Sequence, residues 1–251
     1  PLQKYVYYFG GKKYNCNDVT EALQPYAAAI SADIATLPDM IRYDNYGNAK
    51  QWDGLSIMDY LRSKDMGGWL LSLFNVAFTT EYGLEASEQS ALNMLLLLDT
   101  ELPGCSLFGS SDERYKIAGG NQRITDELAS RVGEINFGYE VTRIRNAGPG
   151  YRVYFANGEK VKADYIICTI PFSILKEIEL DLKEMTDIKR KCIDELGYGR
   201  NAKTFAGYRT DVWRKKGCLG EIFTDRNFQL GWEHSHLQQT QTFGYTFFTG
   251  G

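Results

Sequence analysis

Apolar residues recur every three or four positions in some stretches of the chain and alternate in others, and this change of period sets the predicted layout. Residues 1–15 read as two short strands around Gly10-Gly11. Ala22, Leu23, Tyr26, Ala29, Ile30 and Ile34 share one stripe. They predict a helix over 19–36, with Asn17 or Asp18 as its N-cap and Pro38 at its end. The following loop, 43–53, is rich in Asn, Asp and Gly and reads as solvated. Ser56 caps a predicted helix over 57–64, which Met66-Gly67-Gly68 breaks. Residues 69–78 are apolar on most sides, so the helix they form is expected to be deeply buried. A connector over 81–87 leads to a helix from about Glu88, stopped by Pro103-Gly104. Its leucines 92, 95, 96 and 98 read as core.

Residues 116–171 differ from their surroundings. Gly119-Gly120 suits positive φ or a close backbone approach. Ile124, Leu128 and Val132 then keep helical spacing, with Thr125, Asp126 and Glu127 facing outward. Val141 and Ile144, then Val153 and Phe155, lie in two strands around Ala147-Gly148-Pro149-Gly150, and Asn157-Gly158 marks a second hairpin turn. Residues 165–168 are apolar throughout, which predicts a strand buried on both faces. A helix over 186–196 follows, then short aromatic, alternating runs at 203–209, 221–224, 228–232 and 244–249, as in an antiparallel sheet. The expected fold class is α+β, a mixed or antiparallel sheet with packed helices plus a small β segment. The parts are a helical 1–115, a β-rich 116–172 and an antiparallel sheet in 173–251.

Composition adds exclusions. With 251 residues, 43% hydrophobic and 24% charged, the chain has the balance of a soluble globular protein. Its compartment stays open, with the cytoplasm favoured. A net charge of −4 with no block of Lys or Arg argues against nucleic acid as a partner. The longest apolar runs, such as 95–98, are far too short for a membrane segment. Five cysteines without a C-x-x-C pair point to reduced thiols, against a zinc site or a disulfide framework. The chain opens on Pro1 and stops at Gly251 after a strand-like run, so both ends are expected to be cut edges.

Few constellations carry chemistry. Residues 197–202 fit G-x-G-x-x-A, but a helix precedes and a strand follows, the reverse of a dinucleotide-binding turn. His234 and His236 share a face if their segment is extended, yet they lack a third metal ligand, because Glu233 would point away. A solvated turn or strand end is the preferred reading, so the metal expectation is none. No G-x-S-x-G elbow exists. Lys203 stands out. It opens a strand, K-T-F-A-G-Y-R, with Phe205 on the same face, where burial would desolvate it. The alternative is an edge-strand lysine that guards against aggregation.

The run Gly119-Gly120, helix, Val141 with Ile144, hairpin, Ala163-Asp164, then Thr169 and Pro171 resembles the flavin-containing amine oxidase family. That family includes monoamine, polyamine and L-amino-acid oxidases. Residues 53–61, Glu81-Tyr82-Gly83 and residues 88–92 resemble the helical substrate-domain insert of its bacterial members. Tyr198-Gly199, Lys203 and Val212-Trp213 reproduce its frame around a lysine beside a strand that ends near an aromatic pair.

The resemblance implies FAD as cofactor and a small-molecule amine or amino acid as substrate. It assigns 116–172 to the FAD-binding domain and the flanking parts to the substrate domain. It makes Lys203 the residue that holds a water against flavin N5. Val141 would meet the adenine end, and Thr169 with Pro171 would turn the chain beside the cofactor, although a buried strand closed by a proline gives the same letters. Trp232 falls near the family's substrate cavity, where a core tryptophan fits as well. The implied reaction moves a hydride from the amine-bearing carbon to N5. Water then hydrolyses the imine, and O2 reoxidises the flavin to give peroxide. Arg200, Arg209 and Arg214 are available to clamp a carboxylate.

The family's G-x-G-x-x-G unit and its C-terminal flavin segment have no counterpart in these residues. The isolated chain is therefore expected to bind FAD weakly or not at all. The alternatives are a non-catalytic binding or structural module of the same fold, and an FAD-dependent desaturase.

Overall fold

The structure, a computed structural model, describes residues 2–42, 44–102, 107–108, 115–236, 238 and 241–251. It divides into two compact units, Pro1–Asp112 with Gly199–Gly251, and Glu113–Tyr198.

The first unit opens with β1 (Gln3–Phe9) and β2 (Lys12–Tyr14), paired antiparallel across Gly10-Gly11. Helix α1 (Cys16–Ile34) begins before either expected cap, one residue ahead of Asn17 and two ahead of Asp18. Asn15 caps it by accepting from the N–H groups of Asn17 and Asp18, while Asp18 accepts from the Asn15 N–H at 2.7 Å. Asp18 is thus the third helical residue of a capping box, not the cap itself. The expected loop 43–53 contains a short helix, α2 (Ala49–Asp53), while Tyr43 lies outside the described residues. Packing overrides loop composition here, because Ala49 is buried and Trp52 meets Tyr60 edge-on at 5.5 Å.

Ser56 caps α3 (Ile57–Ser63) as expected, accepting from the Asp59 N–H at 3.0 Å. Helix α4 (Gly68–Tyr82) buries Leu73, Phe74, Ala77 and Phe78 completely and ends at the left-handed Gly83. Helix α5 (Ala91–Leu97) is capped by Ser90, whose hydroxyl accepts from the Leu92 N–H. Just before it, the buried Gln89 side chain donates to the Phe78 carbonyl at 2.8 Å and to that of Leu84. The expected stop at Pro103-Gly104 lies outside the described residues. One cysteine expectation is corrected: Cys16 is disulfide-bonded, whereas Cys168, Cys192 and Cys218 are free.

The second unit contains α6 (Gln122–Ser130), β3 (Val141–Ala147), β4 (Gly150–Phe155), β5 (Lys160–Ala163), α7 (Phe172–Leu175), β6 (Glu179–Asp181) and α8 (Asp187–Glu195). Its sheet runs β5-β4-β3-β6, antiparallel except for the β3–β6 pair. Both predicted hairpin turns form. The expected strand over 165–168 does not, and Tyr165 and Ile167 are 89% and 93% exposed. A strand needs ladder partners, and no described residue pairs with this one, so its apolar composition alone does not bury it. The stripe of Ile124 and Leu128 is present on α6 but exposed, and Val132 lies past the helix end.

Returning to the first unit, the chain forms β7 (Asn201–Tyr208), α9 (Val212–Lys215), β8 (Cys218–Thr224), β9 (Leu230–Glu233) and β10 (Phe243–Gly250). The expected strand end at Val212-Trp213 is instead the helix α9. The sheet order is β2-β1-β8-β9-β10-β7, antiparallel except for β1 with β8. Tyr7, Phe9 and Phe223 on one face join Leu73, Phe74 and Phe78 of α4 in a single core, with Tyr7 stacked on Phe223 at 5.9 Å.

Gly199 has a packing explanation. A Cβ there would run into the Tyr82 carbonyl, and the adjacent Arg200 N–H donates to the Gly83 carbonyl at 2.5 Å. The G-x-G-x-x-A letters at 197–202 therefore mark a close backbone approach to the end of α4.

Candidate functional site

Register decides which side chains meet on the first unit's sheet. Lys203 pairs with Phe248, Phe205 with Thr246, and Gly207 with Gly244, so these alternate residues of β7 and β10 share one face. Thr246 pairs in turn with Trp232, and Phe248 with Leu230. Leu230 packs against the helical core, so this is the helix-covered face, continued towards the β7 edge. Along that edge the face is open, and Phe205 is 66% exposed.

Three predicted or neighbouring side chains come together there. The Lys203 Nζ lies 4.9 Å from the Phe248 ring centroid and 5.5 Å from that of Trp232. The two rings meet edge to face at 5.7 Å. An ammonium between two π faces is held by attraction of about 0.5–1 kcal/mol per ring at an exposed site. Lys203 itself is exposed on an edge strand, so the burial expected from its strand is absent in this chain. The sequence pattern could not show this, because one edge residue and one central residue carry the same alternation. Phe248 was missed, although the alternation in G-Y-T-F-F-T-G puts it beside Thr246.

His234 continues the same face. Its Nδ1 lies 2.9 Å from the Thr246 hydroxyl, and its ring stands edge-on to Phe205 at 5.4 Å. A cleft of about 270 Å³ opens beside it, lined also by Gly207, Thr242 and Gly244. His236 lies elsewhere, with its Nδ1 3.1 Å from Arg214 Nη2. The two histidines are not brought together, and no cluster able to hold a metal ion exists among the described residues.

On the opposite face, Glu233 is buried and accepts from Trp213 Nε1 at 2.7 Å, from Arg214 Nη2 at 3.0 Å and from Ser235 Oγ at 3.2 Å. Sequence reasoning missed this cluster, beyond noting that Glu233 points away from the histidines. Arg214 also meets Asp211, so this candidate carboxylate clamp is already engaged with the protein's own carboxylates.

Burial acts to raise the Glu233 carboxyl, but the bonds from Trp213 and Arg214 and the guanidinium charge outweigh it, so the group sits below its ordinary value of 4.5. A carboxylate depressed by folding stabilises the fold fully above that ordinary value. The contribution is lost as pH falls through the lower folded value. Between pH 5 and pH 3, Glu233→Gln is therefore expected to lose less stability than the parent, read as the drop in urea midpoint. Equal losses would refute this.

The remaining predicted residues lie in the second unit. Val141 opens β3, half-buried and paired with Phe155. Thr169 is exposed in an irregular segment, and Pro171 is the residue before α7. Their proposed roles beside a cofactor rest on the resemblance alone.

Residues 4–249 match the model of the family described as flavin containing amine oxidoreductase. A flavin-dependent L-tryptophan oxidase of Lentzea aerocolonigenes is 29% identical over 115 residues, which is 44% of this chain and 24% of that one. A flavin-containing amine oxidase of Oncorhynchus mykiss is 26% identical over 182 residues, covering 70% of this chain and 34% of that one. Among solved structures, a redesigned double mutant of putrescine oxidase superposes with a TM-score of 0.82 at 16% identity, covering 100% of this chain and 58% of that one. Cyclohexylamine oxidase from Brevibacterium oxydans gives 0.78 at 15% identity, covering 100% and 57%. The chain thus spans between about a quarter and three fifths of the length of these relatives, and the two superpositions show the fold. No described helix is long and apolar enough to cross a membrane. With 4–249 of its 251 residues matched, the chain belongs to the flavin-containing amine oxidoreductase family.

Proposed function

We propose that this chain supplies the substrate side, and part of the cofactor side, of an FAD-dependent oxidase. The enzyme converts a primary amine or L-amino acid to an imine and O2 to peroxide. The observation that carries the reading is the Lys203 ammonium set over Trp232 and Phe248 on an open sheet face.

That face fits a flavin. A partly exposed aromatic surface offers ring faces and edges to a heterocycle, and one cation beside it suits the electron-rich edge. The flavin, when bound, supplies the two-electron oxidation of the C–N bond and passes the electrons to O2. Lys203 orients a water by donating through Nζ. Trp232 and Phe248 wall one side of the site with apolar surface. A substrate amine that binds neutral needs no strong side-chain base, in keeping with a face whose charged group is a lysine. The second unit, through Val141, Thr169 and Pro171, is assigned to the cofactor.

The test is peroxide and ammonia release by the full-length protein with added FAD, over aliphatic diamines, aromatic amines and L-amino acids. Release of both from one of these classes supports the reading. A flavin-loaded protein that yields no peroxide with any of them, or a desaturated product without ammonia, overturns it.

A further inference from the structure

The cluster behind the sheet has a role beyond stabilising its own turn. Strand β9 is only four residues long, and its ladder to β8 consists of Ile222 with Gly231 and Phe223 with Leu230. Past Gly231 the ladder stops, so Trp232 and Glu233 have their backbone partners on the β10 side, at Thr246 and Tyr245. Side chains make the link back towards β8. Tyr245 Oη donates to the Gly220 carbonyl at 2.6 Å, and Glu233 takes the Trp213 indole N–H and the Arg214 guanidinium from α9, which packs on β8.

Glycines make this possible. A Cβ on Gly231 would meet the Tyr245 ring at 2.8 Å, and one on Gly220 would meet Trp213 at 3.1 Å and the Glu233 Cβ at 3.4 Å. The back of the strand is thus filled by two aromatic rings and by the ion pair of the buried Glu233 with the half-buried Arg214. Adjacent residues of a strand point to opposite faces. Fixing Glu233 on the back therefore fixes the rotation of β9, and with it the ring of Trp232 on the front.

We propose that Trp213, Arg214 and Glu233 form a positioning network that sets Trp232 against Lys203 from the opposite side of the sheet. The network touches neither Lys203 nor the open face. It acts by replacing the missing β8 ladder, so that Trp232 stays edge-on to Phe248 and within reach of the Nζ. The importance of this for turnover rests on the function proposed above, but the geometry does not.

The experiment therefore reads geometry. The lysines of the full-length protein are reductively dimethylated with a 13C label, and the Lys203 methyl resonance is identified by its loss in Lys203→Arg. Ring currents of Trp232 and Phe248 are expected to hold it upfield of lysines outside aromatic contacts. In Glu233→Ala the upfield shift should be lost while the other folded-state methyl resonances persist. Glu233→Gln, which still accepts from the indole N–H, should restore part of it. If Glu233→Ala fails to fold, Trp213→Phe, which keeps a ring but removes the indole N–H that Glu233 accepts, should reduce the same shift.

A merely structural role would lower the melting temperature and leave the resonance of the folded molecules in place. That result overturns the proposal, as does a parent protein whose Lys203 methyls are not shifted. Because no amine substrate enters the measurement, it can fail while the oxidase assay succeeds, and the reverse.

Discussion

Replacing Lys203 with methionine in the full-length, FAD-loaded protein is expected to slow turnover by about 100-fold, the loss typical of removing one preorganised donor from a reacting centre. The methionine stem is near the length of the lysine stem and can lie on the same rings, Trp232 and Phe248, so the fold should survive. What disappears is the N–H donor. The loss should fall on kcat, because a water-orienting group acts after substrate is bound. Stopped-flow absorbance separates the half-reactions: anaerobic mixing with amine follows flavin reduction, and mixing the reduced enzyme with O2 follows reoxidation. Turnover unchanged in both would remove Lys203 from the chemistry and favour a module that keeps the fold without the reaction.

The largest effect on stability is expected from Phe74→Ala. Phe74 is fully buried on α4 and stacks with Phe78 at 6.1 Å, within the core that also holds Tyr7 and Phe223 of the sheet. Truncation removes a ring's worth of buried apolar surface and leaves a cavity that helix and sheet cannot both close, costing about 3–5 kcal/mol. In a unit of this size that lowers the melting temperature by roughly 10 °C. Phe205→Ala is the control, since Phe205 is 66% exposed and its loss should cost little. Calorimetry in which the two variants melted together would contradict the placement of the core.

What was legible in the sequence depended on how local the cause was. Ser56 caps its helix where its letter says it should, because a cap needs only residues within one turn. The alternation of β7 and β10 was readable for the same reason. The pairing of Lys203 with Phe248 and Trp232 needed register across three strands, which no single segment encodes. Residues 165–168 failed in the opposite sense, since a run of apolar residues states a need for partners without supplying them. Glu233 was invisible as a site because its partners, Trp213 and Arg214, sit about twenty positions away on a helix of only four residues. Gly199 was visible as a letter pattern and misleading as one, because its cause is the carbonyl of Tyr82.

The parallel pairing of β1 with β8 has a consequence for the order of events during synthesis. Gln3 sits beside Cys218, its partner in the sheet although it comes 215 positions later in the chain. At ribosomal rates of about 5–20 residues per second, β1 waits roughly 10 to 45 s for its neighbour β8. During that interval the hairpin of β1 and β2 presents one unpaired edge with Tyr5, Tyr7 and Phe9 on it. A hairpin alone is marginally stable, and an open apolar edge invites pairing with other chains. The nascent chain is therefore most vulnerable to aggregation, and most in need of a holding chaperone, before Cys218 leaves the ribosome.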